Sequence, residues 1–254
     1  MKLKRLFAVL LMLAAVAGMP RAGWTAEGDA RELVQKVAEA LPKVPFDAKL
    51  KLTTAQGVRD LELKQKVVGG NRMGYLEVTG PEDLKGIRHL FIESTNEPPK
   101  QYLKLTASRS IVRVADEVRS QPFLGSTFYI ADLVEPPLDA YTHTFVGDAE
   151  VNGRYCKLVE SVSKDPSKEI YSKIVSAIDP KDLIVMRREF FDKKGQPIKV
   201  WQVEKIEKVD GYWTPMIQDM RNTQDKAESR LQVVSIQYNV KLDDSIFTPE
   251  YLKR

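Results

Sequence analysis

From Phe46 onward the chain repeats one pattern: a run of alternating apolar and polar side chains, a turn, then the next run. In the first run Phe46, Ala48, Leu50 and Leu52 alternate with Asp47, Lys49, Lys51 and Thr53, the period of a half-buried β-strand. Gly69-Gly70-Asn71, Asn152-Gly153, Asp192-Lys193-Lys194-Gly195 and Asp210-Gly211 separate later runs, and these residues accept the positive φ that tight hairpins require. The pattern predicts strands over 46–54, 58–68, 72–79, 87–93, 101–106, 109–115, 141–149, 154–163, 170–178, 183–192, 198–209, 212–221 and 229–240. Consecutive hairpins imply an antiparallel meander, so the fold class is mainly β.

So many strands must close, curl or stack, because a strongly twisted open sheet seldom exceeds about ten strands. One amphipathic helix is predicted over 29–41, with Leu33, Val34, Val37, Ala38 and Leu41 on one stripe, Asp29 and Glu32 at capping-box spacing, and Pro42 and Pro45 beyond its end. One helix cannot cover a sheet of this size. Either a second sheet packs on it as a sandwich, or it curls around an apolar concavity that suggests a ligand.

Lys2, Lys4 and Arg5 precede the apolar run Leu6–Ala17, which spans only about 18 Å as a helix and reads as a cleavable signal segment rather than a membrane span. Residues 1–26 are therefore expected to be removed, leaving 27–254 as one exported, periplasmic domain. The leader carries four basic residues and no acidic ones, so the 39 basic and 35 acidic residues of the whole chain become an even balance. That removes the electrostatic case for nucleic acid as a partner. With one cysteine, Cys156, the chain cannot form an intramolecular disulfide.

Residues 119–133, RSQPFLGSTFYIADL, interrupt the strand series with Phe123, Phe128 and Tyr129 clustered about Gly125. This is too apolar for a solvated linker and too irregular for a strand. Ser126 lacks the G-x-S-x-G elbow, and His89 and His143 belong to neither an H-x-x-x-H nor an H-E-x-x-H arrangement. No catalytic residue, metal site or cofactor is expected.

Four stretches carry a resemblance: Pro81-Glu82-Asp83-Leu84-Lys85-Gly86; Arg119 with Phe123-Leu124-Gly125-Ser126-Thr127-Phe128 and Asp132-Leu133; Asp210-Gly211-Tyr212-Trp213-Thr214-Pro215; and Phe247-Thr248-Pro249-Glu250-Tyr251-Leu252. In this order, on an exported β-rich chain, they resemble the outer membrane lipoprotein-sorting (LolA-like) superfamily, particularly its exported branch found with exporters of the resistance-nodulation-division type. The resemblance implies an unclosed antiparallel half-barrel with helices or loops against its concave face. It also implies a cavity for acyl chains of a lipid or lipoprotein, and an inner-membrane exporter or outer-membrane acceptor as partner. Tyr129, Ile130 and Ala131 replace the acidic and aromatic residues that the family carries before its Asp-Leu pair.

On that reading Phe123, Leu124, Gly125, Phe128, Tyr129, Ile130 and Leu133 are candidates for a lid or cavity rim, and Trp201, Trp213, Met216 and Met220 for the cavity lining. Ordinary core packing is the competing assignment for both groups. Lys100, Lys104, Arg109, Arg113 and Arg119 form a basic stretch suited to a solvated face or, alternatively, to lipid headgroups or a membrane partner, with Arg119 also suited to bonding backbone carbonyls that fix its loop. A protein that uses the same β scaffold for envelope contacts, without carrying cargo, is the alternative function.

Overall fold

The computed structural model describes residues 26–94, 99–106 and 110–254. The expected leader (apart from Ala26) and Arg109 lie outside these residues. The helix α1 covers Ala26–Ala40 and stops before Pro42, as expected. It begins earlier than the spacing of Asp29 and Glu32 predicts, so those residues lie inside the helix and do not cap it. Ala30 and Leu33 are buried against Val159 and Ile178, with Val34 and Val37 beside them.

All thirteen predicted strands are present among the described residues. They are β1 (Phe46–Thr54), β2 (Gly57–Val68), β3 (Asn71–Gly80), β4 (Arg88–Glu93), β5 (Lys100–Lys104) and β6 (Ile111–Arg113) in the first half. The second half contains β7 (Tyr141–Val151), β8 (Arg154–Ser163), β9 (Lys173–Asp179), β10 (Ile184–Phe191), β11 (Pro197–Val209), β12 (Tyr212–Asn222) and β13 (Glu228–Tyr238). They form one antiparallel sheet in the order β6-β5-β4-β3-β2-β1-β13-β12-β11-β10-β9-β8-β7. Two meanders are thus joined at β1 and β13, paired from Phe46 opposite Tyr238 to Thr53 opposite Arg230 with one register shift between Lys49 and Leu50. The sheet does not close, because β6 and β7 are its two edges. They are also consecutive in sequence, so residues 114–140 must run from one edge to the other.

That connection packs across part of the inner face. Phe123, Phe128 and Ile130 share a buried cluster with Ala48, Leu50 and Leu52 of β1 and Leu76 and Val78 of β3. Full burial of each of the larger of these side chains contributes about 1.5–3 kcal/mol, before ordering costs. On the outer face, Tyr75 and Leu90 pack against Phe247 and Leu252 of the C-terminal 3-10 turns. There Thr248 caps Tyr251 N and Arg88 Nη1 donates to Leu252 O at 3.2 Å, which gives the Phe247–Leu252 motif a packing role.

Gly74 in β3 stands opposite Phe91 in β4. A Cβ there would lie 2.0 Å from Phe91 Cζ, so the ring occupies the place of the missing side chain. Gly74→Ala is expected to displace Phe91 and to destabilise by about 1–3 kcal/mol, read as a lower urea midpoint at an unchanged m-value.

Candidate functional site: an apolar chamber in the half-barrel

Between the inner face, α1 and the connection lies a cavity of about 600 Å³, within the range of small-molecule pockets. The sheet contributes Leu50, Leu52, Leu61 and Leu63, the helix contributes Val34 and Val37, and Ile174, Ile178 and Phe190 line the far arm. Alternation places these side chains inward, since strands send every second residue to one face.

Of the predicted site residues, Phe123, Phe128, Leu133, Trp201, Trp213 and Met220 line this chamber. Leu124, Tyr129, Ile130 and Met216 do not; they pack in the core around it. Gly125, at φ 72°, lies so close to the β1–β2 turn that a Cβ would sit 2.4 Å from Gln56 Oε1. A side chain at Gly125 would strain the backbone and force the end of the Gln56 side chain to shift.

The connection is pinned at several points. Phe123 N donates to Phe128 O at 2.7 Å, Thr127 Oγ1 donates to Met220 O at 2.7 Å, and Thr127 N donates to Ser229 Oγ at 3.0 Å. Arg119 Nη1 donates to Lys168 O at 3.1 Å, the backbone-fixing role its sequence position suggests. Ser126 Oγ donates to Phe123 O at 2.6 Å and accepts from Phe128 N, so its hydroxyl braces the turn.

The strongest pin is Asp132. Its carboxylate accepts from Tyr129 N at 2.7 Å, from the Tyr171 hydroxyl at 2.5 Å, and from Lys199 Nζ. Lys199 and Asp132 retain 2 % and 5 % side-chain exposure, so the ion pair is buried. Tyr129 covers the ammonium at 3.5 Å from its ring centre, and Tyr171 stacks near-parallel to Tyr129. Burial lowers the Lys199 ammonium from its ordinary range while Asp132 opposes that shift. Burial and the adjacent Asp132 carboxylate push the Tyr171 phenol well up. Tyr129 thus takes part in the clamp that holds the connection.

Of the polar groups at the cavity wall, three bear on its chemistry. His89 on β4 is wholly buried, its Nε2 donates to Gln101 Oε1 at 2.8 Å, and its Nδ1 has no partner among the described residues. His143 Nε2 donates to Leu138 O at 2.9 Å, leaving Nδ1 to accept from Ser161 Oγ at 2.8 Å. Leu138 O stands where a hydrolase would need an orienting carboxylate. The third group is ionic: Arg72 bonds Glu93, Glu93 Oε1 accepts from Glu135 N at 2.9 Å, and Arg188 Nη2 donates to Glu135 Oε2 at 2.6 Å. Burial raises the Glu93 carboxyl despite Arg72. Among the described residues, no group of three His, Cys, Asp or Glu side chains is placed to hold a metal ion.

A family model described as "-like: Uncharacterized protein" matches residues 70–254. No curated protein matches the chain. Among solved structures, a candidate outer membrane lipoprotein-sorting protein domain from Vibrio parahaemolyticus is similar at TM-score 0.83 and 24% identity, over 90% of this chain and 100% of that one. A DUF1329 family protein from Desulfovibrio piger aligns at TM-score 0.81 and 19% identity, over 89% and 98% of the two chains. A LolA superfamily protein from Nitrosomonas europaea aligns at TM-score 0.66 and 16% identity, over 87% and 98%. The chain belongs to the family whose model spans 70–254, and its fold, an unclosed antiparallel half-barrel, is the one seen in these outer membrane lipoprotein-sorting and LolA superfamily structures.

Proposed function

We propose that this protein is a periplasmic carrier that holds the acyl chain of a lipid or lipoprotein in the half-barrel and passes it between membrane partners, with an exporter or an outer-membrane acceptor at either end. The observation that carries this reading is the apolar chamber of about 600 Å³ under the connection. Each methylene transferred into it gains about 0.8 kcal/mol before association and ordering costs, so affinity needs area and shape but no reacting group. A filled interior would have favoured the alternative of a non-carrying envelope protein. The connection acts in this scheme as a fixed wall, because Asp132, Thr127 and Arg119 each tie it to other parts of the fold. Access then lies between α1 and the sheet rather than through movement at Gly125.

Val37 tests this directly, since it projects from α1 into the chamber and is only partly buried. Val37→Trp is expected to fill the space and weaken displacement of a solvatochromic probe by hexadecanoate at least about tenfold, while the melting temperature changes by under about 4 °C. Unaltered hexadecanoate binding in the folded variant would place the lipid elsewhere.

A further inference from the structure

The polar end of the chamber is built from both arms of the sheet. Arg72 comes from β3 and Arg188 from β10, and both line the cavity beside Glu135 of the connection. Arg72 is committed to Glu93 through Nε and Nη2. Arg188 is less so: among the described residues its guanidinium makes one hydrogen bond, from Nη2 to Glu135, and lies 5.8 Å from the centre of the Trp201 ring. The side chains differ in access, with Arg188 at 19 % exposure and Glu135 at 42 %. A partly exposed carboxylate on irregular backbone is therefore held by one bond, against a guanidinium fixed on a strand. Both arginines act electrostatically on that carboxylate.

Guanidinium presents a planar fork of donors that matches a carboxylate or phosphate. An incoming anion of the same kind can replace Glu135 without leaving Arg188 unpaired, and the freed Glu135 side chain is already near solvent. We infer that Arg188, with Arg72 behind it, binds the anionic head of an amphiphile whose tail fills the apolar chamber, and that Glu135 holds the head-group position until it is displaced. This rests on the carrier reading and narrows its cargo to amphiphiles ending in a carboxylate or phosphate rather than neutral lipids.

The test compares hexadecanoate, hexadecyl phosphate and hexadecanol, which share a tail length, by calorimetry on the full chain at neutral pH. At least one anion is expected to bind about tenfold or more tightly than the alcohol, and the preferred anion distinguishes a fatty-acid from a phospholipid source. Arg188→Gln should bring the ratio of anion to alcohol affinity to about one, Arg188→Lys should retain part of it, and Glu135→Gln should raise it. Equal affinity of all three in the native sequence overturns the inference while leaving the carrier reading intact. So does an anion preference that survives Arg188→Gln in a folded variant. Binding of none of the three overturns both.

Discussion

Lys199→Met is expected to destabilise the protein by about 3–5 kcal/mol, one of the two largest effects anticipated. The substitution keeps the aliphatic bulk but removes the ammonium, leaving the Asp132 carboxylate at 5 % exposure without its counter-ion. Tyr171 and Tyr129 N still donate to that carboxylate, and two neutral donors do not replace a cation in a buried site. The loss should appear as a fall in urea midpoint, and as a melting temperature lower by roughly 10 °C. Adding Asp132→Asn should restore much of it, since the asparagine oxygen can accept from Tyr129 N, its amide can donate to the Tyr171 hydroxyl, and the orphaned charge is gone. A single variant within about 1 kcal/mol of the native protein would show that the pair does not hold the connection.

Acid should cost nearly as much through His89. Burial drives this imidazole down from 6.5 to about 4, with the Gln101 hydrogen bond opposing only weakly. Protonation would place a charge and an N–H on Nδ1, which has no acceptor among the described residues. The folded state thus binds fewer protons than the unfolded state between these values, so stability rises with pH across that window. The contribution is fully present above about 6.5 and is lost as pH falls toward 4, amounting to about 3 kcal/mol. Carboxylates titrate in the lower part of this range, so the decisive comparison is with His89→Leu. Between pH 6.5 and 4.5 the native protein should lose more stability than the variant, and parallel curves would contradict the assignment.

The strand series was legible because alternation and turn chemistry act locally. β1 and β8 have the bounds the sequence implies, and Asn152-Gly153 and Asp210-Gly211 sit at positive φ in their turns. The ends that moved are explained by tertiary contacts. β9 starts at Lys173 rather than 170 because Tyr171 turns toward Asp132, and β6 shrinks to Ile111–Arg113 as the chain leaves the sheet edge.

The aromatic segment was conspicuous in sequence, but its partners were not, since each is far away along the chain. Lys199 lies 67 residues from Asp132, and Arg188 lies 53 from Glu135. One signal was present: Lys199 shares strand parity with Trp201 and Val203, an inward position where a lysine demands a counter-ion. Histidine, glutamate and arginine at the cavity wall gave no such cue, because a lone polar residue in a strand reads as solvent-facing. Trp201 and Met220, paired across β11 and β12, reach the chamber on alternation, whereas Trp213, of the opposite parity, lines it and Met216, of the same parity as Met220, does not. Register shifts where β12 pairs with β11 separate the two.

The central claim is that the chamber carries a lipid. Native mass spectrometry of the protein, expressed from its full sequence in a Gram-negative host and purified without detergent, tests it most directly. The account predicts a population heavier by the mass of an acyl-bearing molecule, identified by extraction, depleted by organic delipidation and restored by adding the extract. A chain that is only ever unliganded, and whose melting temperature no acyl lipid raises, would contradict it.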